Sequence, residues 1–178
     1  QRFDSHNGLR VPVHSLAGLL HADHRLPGAV DYTTFLRATR MLTRDQREVE
    51  KAYARAVFNV LFHNRDDHPK NFAWRLHANR RWHLAPAFDL SFSHGPAGQH
   101  HMDVCGEGAA ITRAHLLRLA SEGGIAPQLA QATIAHQLQQ AADLPRRLQA
   151  FAQPLSIRSA TRRHIAATIA ASGQRLQS

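Results

Sequence analysis

The sequence predicts a mainly α-helical domain with one small β-hairpin, an α+β arrangement. Three observations carry that expectation. Apolar residues recur at three and four over long stretches, as in Val49, Tyr53, Ala56 and Val60, the period of a helix with one buried face. One region alone, 71–85, holds two short strand-like runs around a polar turn. Helix start and stop signals punctuate much of the remainder.

Taken in order, Gln1 to Pro12 reads as an extended lead-in, and the absence of an initiating Met is expected to mark a fragment boundary. Val13 to His21 has helical spacing in Leu16, Leu19 and Leu20, and Pro27-Gly28 is a turn. Asp31 caps a helix to about Leu42 with Phe35 and Leu36 turned inward. Thr43-Arg44-Asp45-Gln46 reads as a capping box, in which hydroxyl and amide each satisfy an orphan backbone N–H. The helix behind it runs to about Phe62. Asn71–Leu76 and Arg81–Ala85 form the hairpin around His77-Ala78-Asn79-Arg80, with Trp74 and Trp82 as core aromatics. Ser93 to Gly108, rich in Gly and His, is expected to be a mobile loop. Thr112 caps a helix to about Ser121, ended by Gly123-Gly124. Pro127 opens another to about Ala142, broken at Asp143-Leu144-Pro145. Helices over Pro145 to about Gln153 and Arg158 to about Ala171 follow, with Gly173 as the last stop. No internal repeat and no second domain is evident, so 1–178 is expected to be one domain.

Composition bounds the partners. The chain carries a formal charge of +9 with 43% hydrophobic residues, and its pI is near 11.3. Such a surface favours ATP, nucleic acid or an acidic protein face. No run is long enough to span a membrane. The single cysteine, Cys105, cannot form an internal disulfide, which agrees with a reducing cytoplasm. The fourteen histidines lie mostly singly. His94, His100 and His101 could gather a stray metal, but a flexible loop is the expectation there.

The chemistry concentrates in Phe62 to Leu90. Asp66 and Asn71 are separated by four residues, and Asp89 follows a strand-like run. That is the layout of a kinase catalytic loop and its metal-binding aspartate, H-R-D-x-x-x-x-N and then D-F-G, with Asn64-Arg65-Asp66 and Asp89-Leu90-Ser91 as the local variants. Phosphoryl transfer needs a carboxylate to orient the attacking hydroxyl and accept its proton, a role open to Asp66. It needs oxygen ligands for Mg²⁺, a hard cation, and Asn71 and Asp89 supply them. Asp66, Asn71 and Asp89 are thus the expected cofactor-binding set for ATP and Mg²⁺. Lys70 could reach the γ-phosphate or simply face solvent. His68 is expected to brace the loop or to take part in proton transfer. Arg65 stands where kinases place the arginine that contacts the activation segment, and Asp67 is either a surface charge or a loop brace.

The run Asn64-x-Asp66-x-His68-x-Lys70-Asn71-Phe72, followed by Leu84-Ala85-Pro86-Ala87-Phe88-Asp89-Leu90, closely resembles the HipA family. These are serine/threonine kinase toxins of bacterial toxin–antitoxin pairs. Arg2-Phe3-Asp4 resembles the family's segment just after the hinge between kinase lobes, and Ile111 to Ile125 resembles its next helical segment. The resemblance implies a protein-kinase-like C-lobe with the N-lobe absent, because neither a Gly-rich phosphate loop nor a strand lysine precedes Asp66 and mid-helix Lys51 is a poor substitute. It also implies a HipB-like DNA-binding antitoxin, DNA contact through that complex, and a protein substrate such as an aminoacyl-tRNA synthetase. Two other readings stay open: a small-molecule phosphotransferase of the aminoglycoside or choline kinase type, and a non-catalytic lobe that docks an antitoxin or DNA. The run fits HipA better than the H-G-D-x-x-x-x-N of the small-molecule enzymes.

Overall fold

The computed structural model describes residues 3–6, 8–23 and 25–177, with backbone alone at His6 and over 152–155. Gln1 and Arg2, at the start of the lead-in, lie outside the described residues. The described part of that lead-in forms two short paired strands, β1 (Ser5–His6) and β2 (Leu9–Arg10).

Val13–Ser15 is a strand, β3, where helical spacing predicts a helix. Only the rest of that segment is helical, as α1 (Leu16–Leu20), capped by the Ser15 hydroxyl accepting from Gly18 N–H. The reason is tertiary: Val13, His14 and Ser15 pair antiparallel with Arg75, Trp74 and Ala73 of β4 (Ala73–Leu76). β4 pairs in turn with β5 (Trp82–Leu84). The expected single hairpin is therefore the outer part of a three-stranded sheet, β3-β4-β5.

α2 (Tyr32–Thr43) starts on Asp31, whose carboxylate accepts from Thr34 N–H at 2.7 Å. The capping box over Thr43–Gln46 is not formed. Thr43 is still helical, and its hydroxyl donates to Thr39 O. Arg44 turns the chain at φ 52°, and Asp45 caps α3 (Gln46–Leu61) by accepting from Arg47 N–H. Gln46 instead donates across to Gly124 O.

α4 (Arg113–Glu122) follows Thr112, whose backbone N–H and side chain both meet His115. α5 (Pro127–Ala142) opens on its proline. α6 (Leu144–Leu155) and α7 (Ser159–Gln177) complete the helical side. α7 passes through buried Gly173 rather than stopping there. A glycine inside a helix costs about 1 kcal/mol relative to alanine but does not end it once packing holds both sides.

The core runs from Leu16 to Leu176 and is centred on α3, which packs against α2, α5 and α7. Phe35 is its aromatic hub, 4.6 Å from the Phe72 ring and 5.9 Å from fully buried Trp74. Trp82 is half-buried against the same cluster. Phe72 therefore locks the end of the polar loop 62–71 to α2, while α3 delivers its beginning.

Candidate functional site

The loop between α3 and β4 is held from three directions. Asn71, 9% exposed, donates from Nδ2 to the backbone oxygen of Asp66 at 2.9 Å, closing the loop between them. This leaves Oδ1 of Asn71 as an available oxygen. Asp66 itself projects outward, its side chain 51% exposed, with His68 Nε2 at 3.8 Å from its carboxylate. Lys70 is exposed in the single turn Pro69–Asn71.

Asp89 comes from the segment after β5, exposed and at φ 54°. That segment is tied to the loop by its backbone. Ser91 N–H donates to Asn64 Oδ1 at 3.2 Å, and Ser93 N–H to His63 O at 3.0 Å. Asn64 and Ser93 form a parallel bridge. Arg55 of α3 steadies the same stretch by donating to Ala85 O at 2.8 Å, and burial brings its guanidinium down to about 10. The Phe3 ring stacks on Phe88, beside Asp89, at 5.2 Å. Asp66, His68 and Asn71 thus share one loop, and Asp89 lies on an irregular segment that is bridged to it at Ser93. Two concavities of about 950 and 710 Å³ lie elsewhere, one by the α2–α3 corner and one beside β2 and β4. Neither is lined by Asp66, Asn71 or Asp89.

Asp67 is not a surface charge. It is fully buried and braces the loop. One oxygen accepts from the Tyr32 hydroxyl at 2.6 Å and from His100 Nδ1 at 2.7 Å. The other accepts from His101 N–H at 2.8 Å. Tyr32 in turn accepts from Asn59 Nδ2, and Asn59 Oδ1 accepts from Asn64 Nδ2, each at 2.9 Å. The chain of contacts runs from Ser91 through Asn64, Asn59, Tyr32 and Asp67 to His100. Burial first, and then the Asp67 charge, push the Tyr32 hydroxyl well above its usual range, so it stays a donor. A buried carboxylate survives only when its lone pairs are matched in this way.

The segment 93–108 is likewise no featureless loop. His100, His101, Met102 and Val104 are buried, and Val104 and Glu107 bridge each other. The expectation of a flexible His-rich loop fails because the Asp67 carboxylate and the aromatic core offer these residues partners. Arg65 reaches the same segment, donating to Gly98 O and to Ala109 O. Among the described residues no group of three or more His, Cys, Asp or Glu side chains could hold a metal. Nor is any helix long and apolar enough to cross a membrane.

Sequence reasoning missed Tyr32, Asn59 and Arg55, and placed His100 in a flexible loop rather than on Asp67. One signal was available: Glu48 and Asn59 fall on the apolar stripe of α3, and both are buried. A polar residue on a core-facing stripe asks for a partner. Glu48 finds its own in Leu84 N–H at 2.8 Å and Lys51 at 2.7 Å.

The architecture is that of a HipA-like C-terminal domain. The fold matches a HipA chain from Shewanella oneidensis MR-1, solved with HipB and its operator DNA, with a TM-score of 0.75 at 18% sequence identity. The match covers 99% of this chain and 48% of that one, so this chain spans about half its length. The family described as HipA-like C-terminal domain matches residues 1–144, and the chain belongs to that family. No curated protein matches it.

Proposed function

We propose that the chain is the catalytic-loop-bearing part of an ATP- and Mg²⁺-dependent serine/threonine protein kinase of a bacterial toxin–antitoxin pair. The observation that carries this reading is the Asn64 clamp. It ties the backbone of the Asp89 segment to the loop of Asp66 and Asn71 through Ser91 and Ser93. In this reading Asp66 orients the attacking hydroxyl and takes its proton. Its exposure suits a group that must meet a protein substrate. Asn71, through the Oδ1 left open by its bond to Asp66 O, and Asp89 are the residues that would hold Mg²⁺. The donor set fits, since all are hard oxygens. When bound, the ion offsets charge on the phosphates. Lys70 adds a positive charge at the γ-phosphate, and His68 braces Asp66.

A HipB-like DNA-binding antitoxin is the proposed partner, with DNA met through that complex, in the cytoplasm. The substrate is a Ser or Thr hydroxyl of a protein. The 178 residues alone are expected to transfer phosphate poorly, because a Gly-rich phosphate loop and a strand lysine are not among them. The test is phosphorylation by the intact protein with labelled ATP, offered protein substrates and small alcohols in parallel. Asp66→Asn should lower the rate by at least about 100-fold, the usual worth of a positioned base. Asp89→Asn should do likewise without disturbing the backbone, since Asn tolerates positive φ. Retained activity in either variant refutes the assignment, and transfer to alcohols alone would replace protein kinase by small-molecule phosphotransferase.

A further inference from the structure

We propose that the groove between the α2–α3 corner and the β4–β5 turn is a docking site for an acidic peptide segment carrying an apolar side chain. The groove encloses about 950 Å³, and Arg44, Arg47, Arg80 and Arg81 all line it. Its one acidic lining residue, Asp45, is taken by Arg47 at 2.8 Å. Among the described residues no carboxylate pairs with Arg44, Arg80 or Arg81. Three arginines therefore line one concavity with no described carboxylate paired to them. Guanidinium forks match carboxylates in bidentate geometry, and such charge-assisted bonds are the stronger kind.

The backbone adds a second observation. Arg44 and Arg80 both sit at positive φ, 52° and 59°. These are turn positions where glycine or asparagine is the cheaper residue, and a left-handed conformation costs other residues about 1–2 kcal/mol. Two arginines held there, on two separate turns that line one groove, put charge where local structure alone would not.

The lining decides between polyanions. Met41, 78% exposed, and half-buried Trp82 stand among the arginines. A nucleic-acid backbone offers evenly spaced phosphates and no use for an exposed methionine. A peptide in which carboxylates flank an apolar residue satisfies both halves of the lining at once. The groove lies apart from Asp66, Asn71 and Asp89, so the docking site stands whether or not those residues transfer phosphate.

The test is fluorescence anisotropy on the intact protein, with a fluorescein-labelled glutamate-rich peptide bearing central leucines. The same peptide with serines in place of leucines, and a labelled DNA duplex, are run beside it. The leucine peptide should bind in a salt-sensitive manner and more tightly than the serine peptide. The triple variant Arg44→Asn, Arg80→Asn, Arg81→Gln should weaken it at least about tenfold, the loss of one charge-assisted bond or more. Its melting temperature should hold, because Asn accepts both turn conformations. The exposed trio Arg146→Gln, Arg147→Gln, Arg158→Gln should leave binding intact. No binding by the parent, equal weakening by the exposed trio, or a duplex that outcompetes the peptide for the groove would each overturn the proposal.

Discussion

Replacing Asp67 by Asn tests the buried network that joins the 62–71 loop to the segment beyond Asp89. The carboxylate accepts from Tyr32, His100 and His101 N–H, and the residue is fully buried. An amide keeps one acceptor oxygen. If that oxygen stays on Tyr32 and His100, the new NH₂ faces the His101 N–H, donor against donor. One charge-assisted bond is lost and two buried donors, the His101 N–H and the new NH₂, are left without partners, and the remaining two bonds weaken to neutral ones. At about 1–3 kcal/mol for each unsatisfied buried group, the substitution should cost roughly 2–6 kcal/mol. Asp67→Ala leaves all three donors without their acceptor and should cost more, though less than three times the single penalty because the members are coupled.

The assay is urea unfolding of the intact protein, followed by a probe in this part of the chain, together with amide hydrogen exchange. The exchange pattern carries the specific content. Amides of 98–108 and of Ser91 should lose protection together in Asp67→Asn, since the contacts run through Asn64, Asn59 and Tyr32 between them. Tyr32→Phe should reproduce part of the loss, and the double variant should cost less than the two single changes added. A loss below about 0.5 kcal/mol, typical of a surface site, would refute the reasoning. So would strict additivity with Tyr32→Phe.

Two further outcomes follow from the same region. Gly95 lies at φ 69° where the chain crosses Arg65, and a Cβ there would meet Gln99 O at 1.9 Å and Arg65 Cβ at 2.7 Å. Gly95→Ala should therefore destabilise by at least about 2 kcal/mol, combining left-handed strain with a backbone clash, and thermal unfolding unchanged from the parent would contradict the described crossing. His63 is buried at φ 59°, and burial, followed by the Arg65 charge, lowers its imidazole from 6.5 to about 4. The unfolded chain then binds the proton more readily than the folded one between those values, so stability should be full above pH 6.5 and decline as pH falls towards 4. His63→Asn, which keeps the turn and removes the titration, should flatten that part of the curve, and an unchanged acid slope would show that other groups set it.

Much of the helical frame, and the pair of loops that carries the proposed site, is legible along the chain itself, because both rest on short-range pattern. The period of Val49, Tyr53, Ala56 and Val60 marks α3, Asp31 and Pro127 mark two helix starts, and the spacing of Asp66, Asn71 and Asp89 marks the loop pair. What only the tertiary structure decided are the roles set by distant partners. Val13–Ser15 has local helical spacing and becomes a strand because β4 supplies its ladder. Asp67 sits in a polar run like any surface loop, yet is buried because Tyr32 and His100, 35 and 33 residues away, bring the donors that make burial affordable in free energy. The groove of Arg44 and Arg80 exists only where two separate turns meet. Sequence order records periodicity and caps, which act over a few residues. Whether a charge is solvated or satisfied depends on what the fold places against it, and that is a property of three-dimensional neighbours.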